Sequence, residues 1–466
     1  MKMSNESPIK TVNPTTNKVE KIYAEMTMAQ IDALFAKADD AYQSWHKTSF
    51  PERAQVLHNA ATILRERKQS LAKLCTIEMG KLLREGIAEV ELCADIFDYY
   101  ANEGANLLAD KPIPVKYGKA FLTYDSIGVL LTVQPWNFPF YQITRTAAAN
   151  IMAGNTVVLK HASNVPQCAD IMEKILREAG APEGVYTNLF ISGSKVSELV
   201  TDPRVKGASL TGSKPAGASF ASAAASCVKK STLELGGSDP FIVLADADLD
   251  LAVQTAALGR LFNAGQVCVS PKRIIVLQSV ADEFIEKAKS LYQNIVVGDP
   301  LDPNTQLAPL NSEKAVQKVI KQVELAVTEG AKLVLGGKRL AREGAFMQPT
   351  ILTDIKPNMK AYSEEIFGPV LCIYVVQSID EAIKIANATE FGLGGSVFGK
   401  DEKEAIRVAR QIITGMVYIN HTTGIAPELP FGGTKASGYG REQAEAGIHE
   451  FVNPKLIRVT TPDAAY

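Results

Sequence analysis

Along the first quarter of the chain the apolar positions recur with the period of a helix. Ile31, Leu34, Phe35 and Ala38 share one face. The same period returns over residues 53–73, just after Pro51, a residue suited to the first turn of a helix. Residues 28–110 therefore predict helices. The pattern changes at 111–126, which is β-prone with turn residues between. From Gly128 onward, short apolar runs alternate with helix-period stretches. Runs 129–133, 156–159, 185–190 and 205–210 predict buried strands, with helices over 143–152 and 165–179 between them. The alternation repeats within 241–420, with strands at 241–244, 273–277 and 331–336 and helices starting at Leu249 and Ala281. Such alternation predicts an α/β protein with parallel, doubly wound sheets. Those sheets bind ligands beyond the carboxyl ends of their strands. Near the end, 455–461 reads as one more strand, with an apolar alternation that calls for a neighbour.

Length and composition narrow the field. A chain of 466 residues implies two or three domains. A net charge of −2 offers no basic field for nucleic acid or anionic lipid. No apolar run reaches the length of a membrane span, and the polar start, residues 1–10, does not read as a signal peptide. The six cysteines are scattered, without a CxxC, and the five histidines form no ligand-spaced cluster. Neither a disulfide framework nor a metal site is expected, and a reducing cytoplasm fits best.

One pair of stretches carries candidate chemistry: Glu234-Leu-Gly-Gly, then Phe262-Asn-Ala-Gly-Gln-Val-Cys268. A cysteine thiolate attacks carbonyl carbon and leaves well from a thioester. A carboxylate reaching the same atom can activate water. Taken alone, Cys268 reads more readily as a buried cysteine packed like a small hydrophobe. A third stretch, Thr211-Gly-Ser-Lys-Pro-Ala-Gly217, follows a strand and opens a helix. It is neither the GxGxxG fingerprint nor a P-loop, so taken alone it reads as well as a plain turn.

The company these stretches keep resolves the choice. Pro135-Trp-Asn-Phe-Pro139, Gly154-Asn-Thr-Val-Val-Leu-Lys160, Leu210-Thr-Gly-Ser213, Glu234-Leu-Gly-Gly237, Gly265-Gln-Val-Cys268, Glu364-Glu-Ile-Phe-Gly-Pro369 and Pro430-Phe-Gly-Gly433 occur in this order. In order and spacing the chain resembles the NAD(P)-dependent aldehyde dehydrogenase family from about residue 10 to residue 459. The resemblance implies a Rossmann-like cofactor domain from 1–110 and 127–236 and an α/β catalytic domain from 237–436. It also implies an oligomerisation bridge from 111–126 and 437–466, hence a homodimer or a tetramer of two such dimers.

The roles implied are specific. Cys268 is the nucleophile, Glu234 the base for hydrolysis, and Asn137, with the N–H of Cys268, the donor to the oxyanion. Trp136, Lys160, Ser163, Gly212, Ser213, Gly217, Glu365 and Phe367 are expected at the cofactor, Lys160 on the adenosine ribose and Glu365 on the nicotinamide ribose. Relatives that pass the acyl group to coenzyme A usually lack the carboxylate of Glu234, so a free acid is the expected product. Ser270 stands where some relatives carry a second cysteine, so a disulfide with the nucleophile is ruled out here. Relatives restricted to NAD+ often have Glu where this chain has Ser163. NADP+ is therefore expected to be accepted and preferred, with NAD+ weaker.

Residues 160–166, 180–192 and 231–240 resemble the bacterial succinate-semialdehyde dehydrogenase branch most. That substrate carries a carboxylate, for which Arg145, eight residues beyond Asn137, is the expected anchor. Phe262 stands where many of that branch place a second arginine. It is expected to form an aromatic wall that also admits apolar aldehydes. A broad-specificity aldehyde dehydrogenase and a catalytically silent structural protein on the same fold are the other readings.

Overall fold

The computed structural model describes residues 9–461. Two long helices, Phe50–Met79 and Leu83–Leu107, pack side by side and carry much of the apolar stripe of the first quarter. Met28–Trp45 and Phe50–Met79 each begin with a capping box, Thr27 with Gln30 and Ser49 with Glu52. In each box the two side chains accept from one another's backbone N–H groups, which the helix itself leaves free. A hairpin of Lys10–Asn13 and Lys18–Ile22 precedes them. The sequence does not predict it, because Lys18–Ile22 is exposed throughout and carries no core face.

Six strands form one sheet, in the order Gly438–Tyr439, Lys230–Glu234, Val205–Thr211, Val129–Gln134, Thr156–His161 and Tyr186–Leu189. All pairings are parallel except that of Gly438–Tyr439. The chain starts at Val129–Gln134, builds outward on one side, then crosses to Val205–Thr211 on the other. The strand order thus reverses between these two strands, and their carboxyl ends open a crevice. Out of those ends run Pro135-Trp136-Asn137 and Gly212-Ser213.

A second sheet of seven strands runs Lys332–Leu335, Thr350–Thr353, Val370–Val376, Pro271–Leu277, Asp239–Val243, Ser396–Phe398 and Tyr418–Ile419, antiparallel only at the first pair. Pro271–Leu277 is buried at every position, the mark of a parallel strand covered on both faces. A third sheet is antiparallel, in the order Val452–Val459, Lys119–Ser126, Lys111–Ile113.

The structure departs from the expected bridge in one respect. Gly438–Tyr439 does not join the third sheet but pairs with Lys230–Glu234 in the first. The helix Ala444–His449 packs on Leu83–Leu107 and Tyr141–Ala153, with the Tyr100 hydroxyl donating to the Ala444 carbonyl at 3.1 Å. Much of 437–466 thus lies against the elements around the crevice.

Candidate active site

Two cavities meet at Cys268. A groove of about 1140 Å³ follows the crevice and is lined by Trp136, Asn137, Gln142, Ser213, Cys268, Glu365 and Phe367. A pocket of about 410 Å³ lies beyond, walled by Phe138, Leu258, Phe262, Val267, Val269 and Ile425. Residues 136 and 137 face the groove and 138 the pocket; Cys268 faces the groove and its neighbours on both sides the pocket. The thiol and the Asn137 amide therefore stand on the septum between a large groove of mixed lining and a smaller, mostly apolar pocket. The ring of Phe262 lies 5.9 Å from that of Phe138, tilted by 40°, and forms part of the pocket wall.

The chain reaches Cys268 through a left-handed turn. Asn263, Ala264 and Gly265 have φ of 51°, 54° and 74°. Two of these are not glycine, so the turn stores strain that its surroundings must hold. They do so with hydrogen bonds. Asn263 Nδ2 donates to the Asn137 carbonyl at 2.7 Å, Gln266 Nε2 donates to the Asn263 carbonyl at 3.1 Å, and Gln266 Oε1 accepts from the Asn311 N–H at 2.9 Å. Beyond the cysteine, Lys272 Nζ donates to the carbonyls of Val267 and Cys268 at 2.9 and 2.6 Å and pairs with Glu365 at 3.1 Å. Burial pushes the Cys268 thiol up to about 11, against the pull of Lys272 and Arg145. The resting group is a thiol, and its thiolate fraction rises with pH.

Glu234 ends its strand 2% exposed, and neither carboxyl oxygen has a hydrogen-bond partner. Burial, then the Glu442 carboxylate, holds its pKa well above the ordinary range, with Arg145 and Arg441 opposing. The two glycines that follow it are demanded by crowding. A Cβ on Gly236 would lie 2.5 Å from the Glu365 carboxylate, and one on Gly237 would lie 2.6 Å from the Cys268 carbonyl. The lack of a Cβ at each lets the strand end, Glu365 and the Cys268 loop close together.

Arg145 departs from the expectation. It is 1% exposed, its guanidinium is paired with Glu442, and it donates to Thr211 Oγ1 at 2.9 Å. The rings of Tyr141 and Phe431 lie 5.2 and 4.7 Å from it. It lines neither cavity. A buried cation already matched by a carboxylate is not free to hold a substrate's. Arg145→Ala leaves Glu442 buried and alone, so a loss of about 3–5 kcal/mol of stability is expected, read by denaturant unfolding. Where the variant folds, charged and uncharged aldehydes should lose activity alike. A loss confined to the carboxylated aldehyde would return Arg145 to the anchor role.

The expected cofactor residues divide. Trp136, Gly212, Ser213, Glu365 and Phe367 line the groove, and the Trp136 and Phe367 rings meet edge to face at 6.0 Å. Ser213 sits at the N-cap of Lys214–Ser226 and its side chain makes no capping bond. Hydroxyl and helix terminus are thus open to an anion such as a pyrophosphate. Lys160, next to last in its strand, is 8% exposed with no ion pair among the described residues, and burial lowers its pKa to about 8. An ammonium so placed favours an anionic or hydroxyl-rich ligand. Ser163 lies on a separate small cavity nearby, where its carbonyl accepts from the Lys10 N–H at 3.1 Å. Gly217 is corrected: it is absent from the groove wall, and a Cβ there would meet Leu235 at 2.7 Å. It serves close packing of helix on sheet.

Sequence reasoning misses Gln142, Glu442, Lys272, Asn263 and Gln266. Only the last two could have been found, as polar residues inside the run before Cys268. Among the described residues no helix is long and apolar enough to cross a membrane.

Residues 1–457 match the model of the aldehyde dehydrogenase family. The chain is 48% identical over 453 residues to the succinate-semialdehyde dehydrogenase [NADP(+)] of Deinococcus radiodurans, covering 97% of this chain and 95% of that protein. It is 45% identical to succinate-semialdehyde dehydrogenase [NADP(+)] 1 of Mycobacterium tuberculosis, covering 97% and 99%. Among solved structures, the succinic semialdehyde dehydrogenase of Streptococcus pyogenes, in complex with NADP+, superposes with a TM-score of 0.96 at 45% identity, covering 97% of this chain and all of that one.

Proposed function

The chain belongs to the aldehyde dehydrogenase family, and from that premise we propose that it oxidises succinic semialdehyde to succinate, with NADP+ preferred to NAD+. The observation that carries the reading is the place of Cys268 on the septum between groove and pocket. An aldehyde entering by the apolar pocket meets the thiol on one side, with the groove on the other. The Cys268 thiol gives up its proton to solvent, its thiolate sulfur adds to the carbonyl carbon, and the Asn137 amide and the Cys268 N–H donate to the oxygen that becomes negative. The nicotinamide cofactor, when bound, accepts the hydride. Glu365 and Trp136 of the groove would orient it toward Cys268, and Ser213 would meet its phosphates; Lys160, outside the groove wall, would meet its adenosine end. A thioester on Cys268 remains, and Glu234 takes a proton from the water that cleaves it.

The substrate assignment draws on the relatives of 45–48% identity. A second reading, oxidation of uncharged aldehydes, is favoured by the pocket wall of Phe138, Phe262, Leu258 and Ile425 and by the absence of a cation from its lining. The deciding measurement is kcat/KM for succinic semialdehyde, glutaric semialdehyde, butanal and benzaldehyde. Butanal above succinic semialdehyde would move the substrate to the uncharged class and leave the chemistry standing.

Cofactor choice follows from the adenosine end. Lys160 can meet a 2′-phosphate, and Ser163 is neutral and small. Ser163→Glu should lower kcat/KM with NADP+ at least about tenfold more than with NAD+, because a carboxylate repels the phosphate and accepts from a hydroxyl. Equal losses with both cofactors would remove Ser163 from that contact. For assembly, the outer strand Val452–Val459 carries Leu456 and Val459, each 58% exposed, as an edge awaiting a neighbour does. A homodimer, or a pair of dimers, is the proposed state; light scattering that returns a monomer would sink it.

A further inference from the structure

The oxyanion donor is an amide, and an amide has two ends of nearly equal shape. The nitrogen end donates and the oxygen end accepts. An Asn137 turned by half a rotation would aim a carbonyl oxygen at the forming oxyanion and oppose the reaction it should assist. Something must fix the orientation, and Asn137 has two partners that do so in agreement. Nδ2 donates to the Gln266 carbonyl at 3.1 Å, which leaves its second N–H for the oxyanion. Oδ1 accepts from Gln142 Nε2 at 3.3 Å.

Gln142 is itself held. It sits in the first turn of the buried helix Tyr141–Ala153, 1% exposed, with its N–H bonded to the Phe138 carbonyl at 3.0 Å. It lines the same groove as Cys268. Its Oε1 is buried without a partner, a state that costs free energy in a core. Packing alone would be served better there by an apolar side chain. The cost is offset by what the other end of the amide does.

We propose that Gln142 is a positioning residue for catalysis, locking the Asn137 amide so that its nitrogen faces the oxyanion. The inference rests on the reading of Asn137 as oxyanion donor given above. Gln142 touches neither the reacting carbon nor the sulfur, so its effect should pass wholly through Asn137. A double-mutant cycle isolates that dependence. The variants are Asn137→Ala, Gln142→Met and the pair, and the readout is the rate of the first burst of NADPH with succinic semialdehyde. Asn137→Ala should slow the burst about a hundred- to a thousandfold, the range for an oxyanion donor. Gln142→Met should slow it about tenfold or more, with KM for NADP+ within about twofold. In the Asn137→Ala background, Gln142→Met should cost less than about threefold more.

Losses that multiply in the double variant would overturn the proposal, since a packing role acts whether or not Asn137 is present. So would a Gln142→Met burst at the wild-type rate. If Asn137→Ala leaves the burst unchanged, the oxyanion reading falls and this inference with it. If Asn137→Ala slows it and Gln142→Met does not, only this inference falls. Should Gln142→Met fail to fold by circular dichroism, Gln142→Leu is put through the same cycle and read by the same outcomes.

Discussion

Cys268→Ala should abolish aldehyde-dependent reduction of NADP+, a fall of at least about 10⁴-fold in kcat, because removing a nucleophile removes the covalent path itself. No neighbour can replace it. Ser270, two residues on and in the pocket wall, accepts from Arg260 at 2.9 Å and donates to the Gly259 carbonyl at 3.1 Å, so its hydroxyl is already engaged. Cys75, Cys93, Cys168 and Cys372 are buried, and neither they nor the exposed Cys227 line either cavity. The variant should still bind cofactor, since the groove wall is otherwise intact, and protein-fluorescence quenching by NADPH checks that. The thiol's behaviour gives a second readout. Because burial pushes it up to about 11, the rate of alkylation by iodoacetamide should climb steadily with pH across the neutral range and level off only far into base. Activity in Cys268→Ala above about 1% of wild type would mean that the nucleophile lies elsewhere.

The sequence discloses the sheets better than the contacts around the site, for physical reasons. Parallel strands covered on both faces are continuous apolar runs, so Val129–Gln134, Thr156–His161 and Pro271–Leu277 announce themselves. Gly438–Tyr439 does not. It joins the sheet because Gly438, at φ 116°, can lie against the Leu233 carbonyl, and that is a fact of tertiary approach. The motif residues around Cys268 are legible through the order and spacing in which the chain resembles the aldehyde dehydrogenase family, since the run taken alone also suits a buried cysteine. Arg145 is legible as a residue and misread as a role. Its position relative to Asn137 follows from the chain, but Glu442, its partner, comes from a distant segment that nothing local points to. Gly217 fails in the same way. A glycine five residues after another can bring backbone to a phosphate or a helix to a sheet, and only the position of Leu235 decides. Gln142 is invisible in the sequence, one polar residue in the first turn of a helix. Its meaning appears only when its amide is seen to meet that of Asn137.

Glu234→Gln should leave the enzyme able to make about one NADPH per site and then stall, with kcat down about 10²–10⁴-fold, the range for a missing general base. The substitution keeps shape and burial, so attack by Cys268 and hydride transfer should run at close to the wild-type rate. Only hydrolysis of the thioester needs a base. The stalled protein should carry one acyl group on Cys268, visible by intact-mass spectrometry and removed by hydroxylamine. The site also fixes the pH dependence of this step. Burial and the Glu442 carboxylate raise the Glu234 pKa well above the ordinary range, so at a given pH a smaller fraction of it is ionised than of an ordinary carboxyl. A base whose pKa is raised gains its active, ionised form as pH rises. Wild-type hydrolysis, followed after the burst, should therefore quicken toward alkaline pH, while the residual rate of Glu234→Gln should lack that limb. Cys268 ionises in the same direction, so the steps must be timed separately: burst rate for the thiol, steady state for the carboxylate. If Glu234→Gln turns over steadily with no burst, another group activates the water. If the burst itself is lost, Glu234 acts before hydride transfer, as acceptor of the Cys268 proton, and the two oxygens that lack partners in this structure are waiting for the thiol instead of for water.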